Sequence, residues 1–304
     1  MNENFKILNQ EYKIWLTTLG FSDLVVYNLN FHIKDFLDWL KQNNIAHITQ
    51  LEIKHIYKYF DYLQTRPNKT KKGGLSIAHL NKNFDAVDKF LEFLHQIGME
   101  TAPIPTKYRL LQEKHYQINN IHPFTQTEIK ELQANIENTY PNLTFTHREA
   151  NHEQLKLIFV LYYACGLRRT EGHNLEIKDI DFDKKIIFIN QGKNYKDRII
   201  PINKEVLKAL EHYIYNFRNL QKAKHNRLFL STTHTLNNNL QRLQQITDNK
   251  QIKSKHLTLH ILRHSIATHL LQNGMSIENI AKFLGHTTLD STQIYTHINE
   301  AMKL

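Results

Sequence analysis

The sequence has one cysteine and lacks any long apolar run. Cys165 cannot form a disulfide within the chain, so a disulfide framework is excluded. It lies in the apolar stretch FVLYYACGL, which favours a buried thiol with a packing role. No stretch approaches the roughly 18 apolar residues of a membrane helix, and MNENFKILNQEYK lacks the apolar centre of a signal peptide. We therefore expect a cytoplasmic protein with no membrane partner.

Repeats and low-complexity tracts are also missing, and acidic residues are outnumbered by basic ones. With 41% hydrophobic and 22% charged residues, the composition is typical of a globular protein. A length of 304 residues suggests about two domains of roughly 150 residues. Lys and Arg number 39 against 29 Asp and Glu, a net charge of +10. This charge suits a nucleic-acid partner, although many basic proteins bind none.

The first hundred residues show helical periodicity. Apolar residues recur at helical spacing in the segments 24–41, 50–65 and 75–97. Thr49 and Glu52 have the spacing of a capping box before the second segment, and Gly98 suits the end of the third.

A stretch without clear periodicity then separates two domains. It contains Pro103 and Pro105, as a linker does. The predicted organisation is an N-terminal domain, a linker and a second domain, at 1–102, 103–122 and 123–304.

The second domain is predicted to be mainly helical with one β-hairpin. Thr125 and Glu128 form a capping pair that starts a helix. The segments IIFIN and RIIPI, at 186–190 and 198–202, are typical of strands, joined by QGKNYKD. Further helices are expected at 204–220, 260–272 and 277–284, the last between an N-cap at Ser276 and a stop at Gly285.

Four short motifs could carry chemistry together. They are GLRRTE, QGKNYKDR, HILRH and LGHTTLDSTQIYTH, at 166–171, 191–198, 260–264 and 284–297. Singly each is weak, because an arginine after a helix usually forms a salt bridge and a lysine on a turn is usually solvated. Tyr295 is one of 14 tyrosines.

In this order and spacing, the motifs resemble the signature of the tyrosine recombinases, the Xer-like phage integrases. The block 257–298 is similar to the C-terminal core of that family almost throughout. GKNYKDRIIP resembles the family's basic hairpin, with Asn194 where a second glycine is common. The family's catalytic positions correspond here to Arg168, Lys193, His260, Arg263, His286 and Tyr295.

The resemblance implies a fold and a site-specific recombinase activity. The fold is a helical, SAM-like core-binding bundle followed by a mainly helical catalytic domain with a small antiparallel sheet. The resemblance implies that Tyr295 attacks a phosphodiester of double-stranded DNA and becomes joined to the 3′ phosphate. No ATP, metal or other cofactor is implied, because positive side chains stabilise the charge. The resemblance also implies a homo-tetramer on two DNA sites, although the nine residues after Tyr295 are few for the tail through which family members often contact a neighbour.

Each residue type suits a task at the phosphate. Two guanidiniums, Arg168 and Arg263, can hold the non-bridging oxygens with paired hydrogen bonds, and His286 can donate to them. A phenol with a pKa of about 10 needs a proton acceptor, for which His260 is the candidate. Lys193 is the candidate acid for the leaving 5′ oxygen, and Lys196 is the alternative because the register of the turn is uncertain.

Neighbouring residues have weaker assignments. Glu171 resembles a residue that supports the family's active site, or is a surface acid. His260 and His264 have a metal-like spacing, but no HExxH motif or carboxylate partner completes such a site. Arg169 and Gly172 depart from the apolar residues common in the family at these positions. The side chains predicted to contact DNA, or else to form a solvated face, are Lys71, Lys72, Ser76, His79, Asn83, Lys196 and Arg198.

Three other functions stay open. A type IB topoisomerase uses a similar residue set and relaxes DNA alone, but its tyrosine has different sequence surroundings. A DNA-binding relative without strand exchange would not need all six positions. A helical RNA-binding or scaffold protein with an accidental pattern would form no covalent DNA adduct.

Overall fold

The structure is a computed structural model of the 304-residue chain. It describes residues 3–68, 72–111, 121–190, 197–218, 224–286, 292–293 and 295–296. The chain divides into two compact units, Met1–Glu113 and Lys114–Leu304. Among the described helices, none combines the length and the apolar character that crossing a bilayer demands.

The first unit is a helical bundle. Its helices are α1 (Glu3–Thr18), α2 (Asp23–Gln42), α3 (Ile53–Thr65) and α4 (Ile77–Gln96). Phe36, Phe60, Phe84 and Phe90 are fully buried between them, since each helix turns one apolar face inward. The segment 103–111 has no helix and is bound to α4, where Asp88 accepts hydrogen bonds from the backbone N–H groups of Thr106 and Lys107.

One helix start in this unit differs from its prediction. The Thr49–Glu52 capping box is wrong, because Thr49 lies in a 3₁₀ turn at Ile48–Gln50 and Glu52 is itself the N-cap of α3. The Nδ1 atom of His55 accepts the Glu52 backbone N–H at 3.0 Å. The stop at Gly98 is confirmed, since this glycine has a φ of +86° directly after the Ile97 C-cap.

The second unit is mainly helical. Its helices are α5 (Gln126–Ala134), α6 (Phe145–Ile158), α7 (Arg169–Asn174), α8 (Lys204–Tyr213), α9 (Thr233–Ile246), α10 (Lys250–Ser254), α11 (Leu259–Gln272) and α12 (Ile277–Leu284). π-helical segments extend α6 through Phe159–Ala164 and α8 through Ile214–Arg218. The apolar run around Cys165 packs beside α11, and the thiol is buried as predicted.

A three-stranded antiparallel sheet completes the second unit. Its strands are β1 (Ile180–Asp181), β2 (Ile186–Ile189) and β3 (Arg198–Pro201), in that spatial order. The pairing of β2 with β3 confirms the predicted hairpin, and Ile189 lies opposite Arg198. The predicted fold class, mainly helical with a small antiparallel sheet, is confirmed.

Candidate active site

Arg263 is a buried cation of the second unit. Helix α11 begins at a Thr258 N-cap, whose hydroxyl accepts the Ile261 N–H. One turn later, the Arg263 side chain donates from Nη1 to the Gly166 carbonyl at 2.6 Å and from Nη2 to the Leu284 carbonyl at 2.8 Å. Burial, with the nearby charge of Arg168, lowers the pKa of Arg263 to about 10. The guanidinium therefore remains charged at neutral pH.

Arg168 also binds the backbone at the end of α12. It directly precedes α7, and its Nη2 atom donates to the Gly285 carbonyl. Because Arg263 binds the carbonyl of Leu284, the two guanidiniums hold consecutive carbonyls at the end of α12. Gly166 makes the close packing possible: its φ is +61°, and a Cβ there would lie 2.8 Å from Cε1 of Phe283.

Glu171 is the acid that organises these cations. Its carboxylate accepts hydrogen bonds from the Arg168 backbone N–H at 2.7 Å and from Nη1 of Arg168 at 2.6 Å. Arg198 at the start of β3 adds two parallel hydrogen bonds of 2.7 and 2.9 Å. Burial raises the pKa of the Glu171 carboxyl, but the bonds from Arg198 and Arg168 outweigh burial and hold the pKa below its usual value. The carboxylate is therefore ionised at neutral pH.

Three imidazoles and one phenol lie beside the arginines. The Nε2 atoms of His260 and His264, one helical turn apart on α11, are 2.8 Å from each other. The Tyr295 ring lies 5.4 Å from the His264 ring and is stacked on the His286 ring at 6.3 Å. The Nδ1 atom of His286 is 2.8 Å from the Thr292 hydroxyl, which orients the imidazole.

Tyr295 is sheltered in this arrangement. Only 2% of the residue is exposed, and it packs in an apolar cluster with Ala267, Ile280 and Leu284. Burial raises the pKa of its phenol to about 12, although the charges of Arg263 and Arg168 act in the opposite direction. A phenol in this state is a poor nucleophile until its proton is taken.

Burial and the same cations keep His286 neutral. Burial, together with the charges of Arg263, Arg168 and Arg198, lowers its pKa to about 4. A neutral imidazole has one N–H to donate and one nitrogen to accept. The arrangement can therefore bind an anion, with permanent charge from the arginines and hydrogen bonds from neutral imidazoles.

Comparisons with known proteins place the chain in a family. The model of the phage integrase family matches residues 123–302. The chain belongs to the phage integrase family. The tyrosine recombinase XerA of Pyrococcus horikoshii is 30% identical over 248 residues, which are 77% of this chain and 76% of XerA. The tyrosine recombinase XerD of Staphylococcus saprophyticus is 34% identical over 88% of this chain and 86% of its own.

Solved structures share the fold. The XerH site-specific recombinase bound to difH substrate, in a pre-cleavage complex, has a TM-score of 0.67 at 20% identity, covering 92% of this chain and 80% of XerH. The Tn1549 transposon integrase in complex with transposon right end DNA has a TM-score of 0.64 at 20% identity, covering 97% of this chain and 98% of its own. The integrase described here is thus a Xer-like tyrosine-type site-specific recombinase.

The structure brings most of the integrase's predicted catalytic residues together. Arg168, His260, Arg263, His286 and Tyr295 all lie in the region around the end of α12. Lys193 and Lys196, on the predicted hairpin turn, lie outside the described residues. The catalytic roles of all these residues stay predictions.

The predicted DNA-contacting residues of the first unit are placed differently from one another. Lys71 lies outside the described residues, and Lys72 is exposed. Ser76 is exposed and caps α4 by accepting the His79 N–H, and His79 itself is half-buried. The placement of Asn83 on the polar side is wrong: only 1% of the residue is exposed, and its amide donates to the His79 carbonyl. The amide is hydrogen-bonded within α4 and is not on the polar side of that helix, so the structure does not support this contact.

Arg198, also predicted to contact DNA, forms an ion pair inside the integrase. Its side chain is 10% exposed and bound to Glu171. The DNA contact stays a prediction, but the support that Arg198 gives to Glu171 was missed, as was the contact of His264 with His260. The four-residue spacing of the two histidines in HILRH could have indicated their contact. The arginine on the hairpin could have indicated a partner for Glu171.

Gly172 has a packing reason that the sequence did not reveal. A Cβ at this position would lie 2.6 Å from Cζ of Tyr162. The Tyr162 hydroxyl, in turn, donates to the Arg169 carbonyl at 3.1 Å, in the first turn of α7. The departure from the apolar residue common in the family therefore makes room for an aromatic ring that braces the helix after Arg168.

One group of side chains has metal-like spacing away from this site. Glu137, Glu149 and His152 place one ligand atom each within 4.8 Å of one another. Glu137 is also paired with the Lys156 ammonium at 2.8 Å, which neutralises part of its charge. These side chains bond to one another, since Nδ1 of His152 lies 3.0 Å from the Glu137 carboxylate.

Proposed function

We propose that this integrase cuts and rejoins double-stranded DNA through a covalent bond between Tyr295 and a 3′ phosphate. The observation that carries the proposal is the pair of guanidiniums held on consecutive carbonyls, beside a tyrosine that is stacked on an imidazole. Two cations and a neutral His286 suit a phosphodiester, whose charge grows in the transition state. The net charge of +10 suits a DNA backbone.

Arg263 has hydrogen-bonding capacity left for a phosphate. A guanidinium has five N–H donors, and Arg263 uses Nη1 and Nη2 for two carbonyls in the structure. The Glu171 carboxylate accepts one hydrogen bond from the Arg168 backbone N–H and one from Nη1 of its guanidinium. These hydrogen bonds orient both guanidiniums before DNA arrives, and the groups that cover Arg263, whose side chain is 3% exposed, must move aside for a phosphate to reach it.

The proton of Tyr295 needs an acceptor, and the leaving oxygen needs a donor. His260 is the candidate acceptor, because it is the exposed member of the imidazole group beside Tyr295. Lys193 is the candidate donor to the 5′ oxygen, with Lys196 as the alternative. The phosphotyrosyl bond retains the energy of the broken linkage, so rejoining to a 5′ hydroxyl requires no ATP. The arginines supply the positive charge that a metal ion supplies in other phosphoryl-transfer sites.

Strand exchange between two sites requires more than one subunit. We propose a homo-tetramer on two DNA duplexes, as the family implies. Synapsis of two defined sites in a gel-shift experiment supports this assembly, whereas relaxation of arbitrary supercoiled DNA by isolated monomers indicates a topoisomerase activity instead.

The covalent step can be tested with a nicked duplex. Target sites are first enriched from genomic DNA by binding, and a substrate with a nick beside the cleavage position then traps the intermediate. Wild type is expected to give a protein–DNA species that resists denaturation, and Tyr295→Phe is expected to give none.

Tyr215→Phe is the matched control, since Tyr215 is 64% exposed in the same unit. It should form the adduct at the wild-type rate. An adduct that persists in Tyr295→Phe would contradict the assignment of the nucleophile.

A further inference from the structure

His264 is a buried imidazole for which the proposed reaction has no role. Only 7% of the residue is exposed, and its ring lies between the His260 ring at 4.2 Å and the Tyr295 ring at 5.4 Å. Its Nε2 atom contacts Nε2 of His260 at 2.8 Å. Its Nδ1 atom is buried and has no hydrogen-bond partner among the residues that the structure describes.

Two Nε2 atoms at this distance share one proton. If both nitrogens carried hydrogen they would repel each other, and if neither did, no bond would form. In one arrangement His264 donates and His260 keeps its own proton on Nδ1. In the other, His260 donates and His264 carries its proton on the buried Nδ1.

The buried Nδ1 atom of His264 distinguishes these arrangements. If His260 donated, an N–H group would be buried at His264 without an acceptor, which is rare in folded proteins. If His264 donates, the same position holds only a lone pair, which folded proteins leave unpaired more readily. The geometry therefore favours His264 as the donor.

We propose that His264 is a positioning residue, whose Nε2–H donates to Nε2 of His260 and keeps His260 neutral with its proton on Nδ1. The inference rests on the proposed function, since it concerns the histidine that handles the Tyr295 proton. Protonating His260 at Nε2 would place two N–H groups against each other, so the bond opposes that protonation. His260 is exposed, and its ring can turn away from His264 to accept a proton once DNA is bound.

The charges around the pair act in the same direction. Burial, together with the effects of His260, Arg263 and His286, lowers the pKa of His264 to about 3. Although His260 as a residue is exposed, desolvation of its ring lowers its pKa, and Arg263 and Arg169 lower it further. The Tyr295 ring closes the other side of His264. His264 therefore stays neutral across the neutral pH range, and its bond to His260 persists there.

The first test reads the tautomer directly. In protein with ¹⁵N-labelled histidine, the ring nitrogen shifts of His260 and His264 are assigned by their absence in single variants. We expect protonated Nδ1 in His260 and protonated Nε2 in His264. The reverse pattern would overturn the proposal, and this reading does not depend on any cleavage activity.

The second test compares two substitutions of His264. His264→Phe keeps a planar ring but cannot donate, whereas His264→Gln can still reach His260 with an amide N–H. Losing a bond to the neutral form raises the pKa of His260, by roughly one unit. As the pH is lowered, cleavage by His264→Phe should therefore be lost at a higher pH than cleavage by wild type, by the same roughly one unit. His264→Gln should follow the wild-type profile.

These outcomes separate a positioning role from a packing role. A packing role predicts that both variants lose activity at every pH, with lower thermal stability and no shift of the profile. An unshifted His264→Phe profile, or an equal shift in His264→Gln, would overturn the proposal. If wild type forms no adduct, the proposed function fails, and the titration of His260 in the labelled protein still decides the role of His264.

Discussion

A single carboxylate connects the cations of this integrase. Glu171 has a side-chain exposure of 6% and bonds to Arg168 and Arg198, while Arg263 approaches it at 3.9 Å. A buried acid among three buried or half-buried cations keeps their mutual repulsion small and fixes their orientation. Removing one member of such a network leaves charge buried without compensation.

Glu171→Gln is expected to destabilise the second unit by roughly 3 kcal/mol near neutral pH. The folded-state pKa of Glu171 lies below the unfolded value of 4.5. Its contribution is therefore complete above that value and is lost as the pH falls through the folded-state pKa. Urea denaturation at a series of pH values should show the gap between wild type and variant narrowing in acid. Glu205→Gln, an exposed acid on α8, should change little; a comparable loss there would argue against the network.

At the scale of elements, helix starts place the candidate catalytic side chains. The Thr258 cap sets the rotation of α11, and thereby the direction of His260 and Arg263. The Thr125–Glu128 capping box starts α5, and Glu128 also binds the Lys255 ammonium at 2.6 Å, just before α11. The start of α5 is thus connected to the segment that leads into the arginine helix.

Thr125→Ala removes one cap and should destabilise the second unit by about 1 kcal/mol. The reason is that the Glu128 backbone N–H loses the hydroxyl that accepts it. Thr144→Ala is the matched control, because Thr144 is the N-cap of α6 but makes no side-chain cap bond. Chemical denaturation of both variants measures the difference; equal losses would show that the hydroxyl bond is not the cause.

At the scale of the whole molecule, each unit has a hydrophobic core of its own. The first is rich in phenylalanine, and the second is built around the apolar run that ends at Leu167. A unit with its own core can fold separately. The candidate catalytic groups described above all belong to the second unit.

Fragments 1–113 and 114–304, the two compact units, are each expected to unfold cooperatively. Circular dichroism of the separate fragments during heating measures this directly, with the full chain as the reference. A fragment that shows helical signal but no cooperative transition would mean that its core is incomplete without the other unit.

Local features were largely predictable from the chain. The Thr125–Glu128 box, the Ser276 cap and the stops at Gly98 and Gly285 depend on residues within one helical turn, and all are confirmed. Predictions failed where a residue belonged to a neighbouring element or where an element was very short. Thr49 lies in a separate 3₁₀ turn, and the two-residue strand β1 is too short to leave a periodic pattern.

The order and spacing of the motifs along the chain were enough to recognise the family and its fold. Contacts between distant segments decided the rest. Arg198 meets Glu171 across 27 positions, Arg168 meets Gly285 across 117, and Asn83 is buried by helices that pack over it. The partners of a buried charge or imidazole are chosen by tertiary packing, where desolvation makes an unpaired group costly, and no local pattern records that choice.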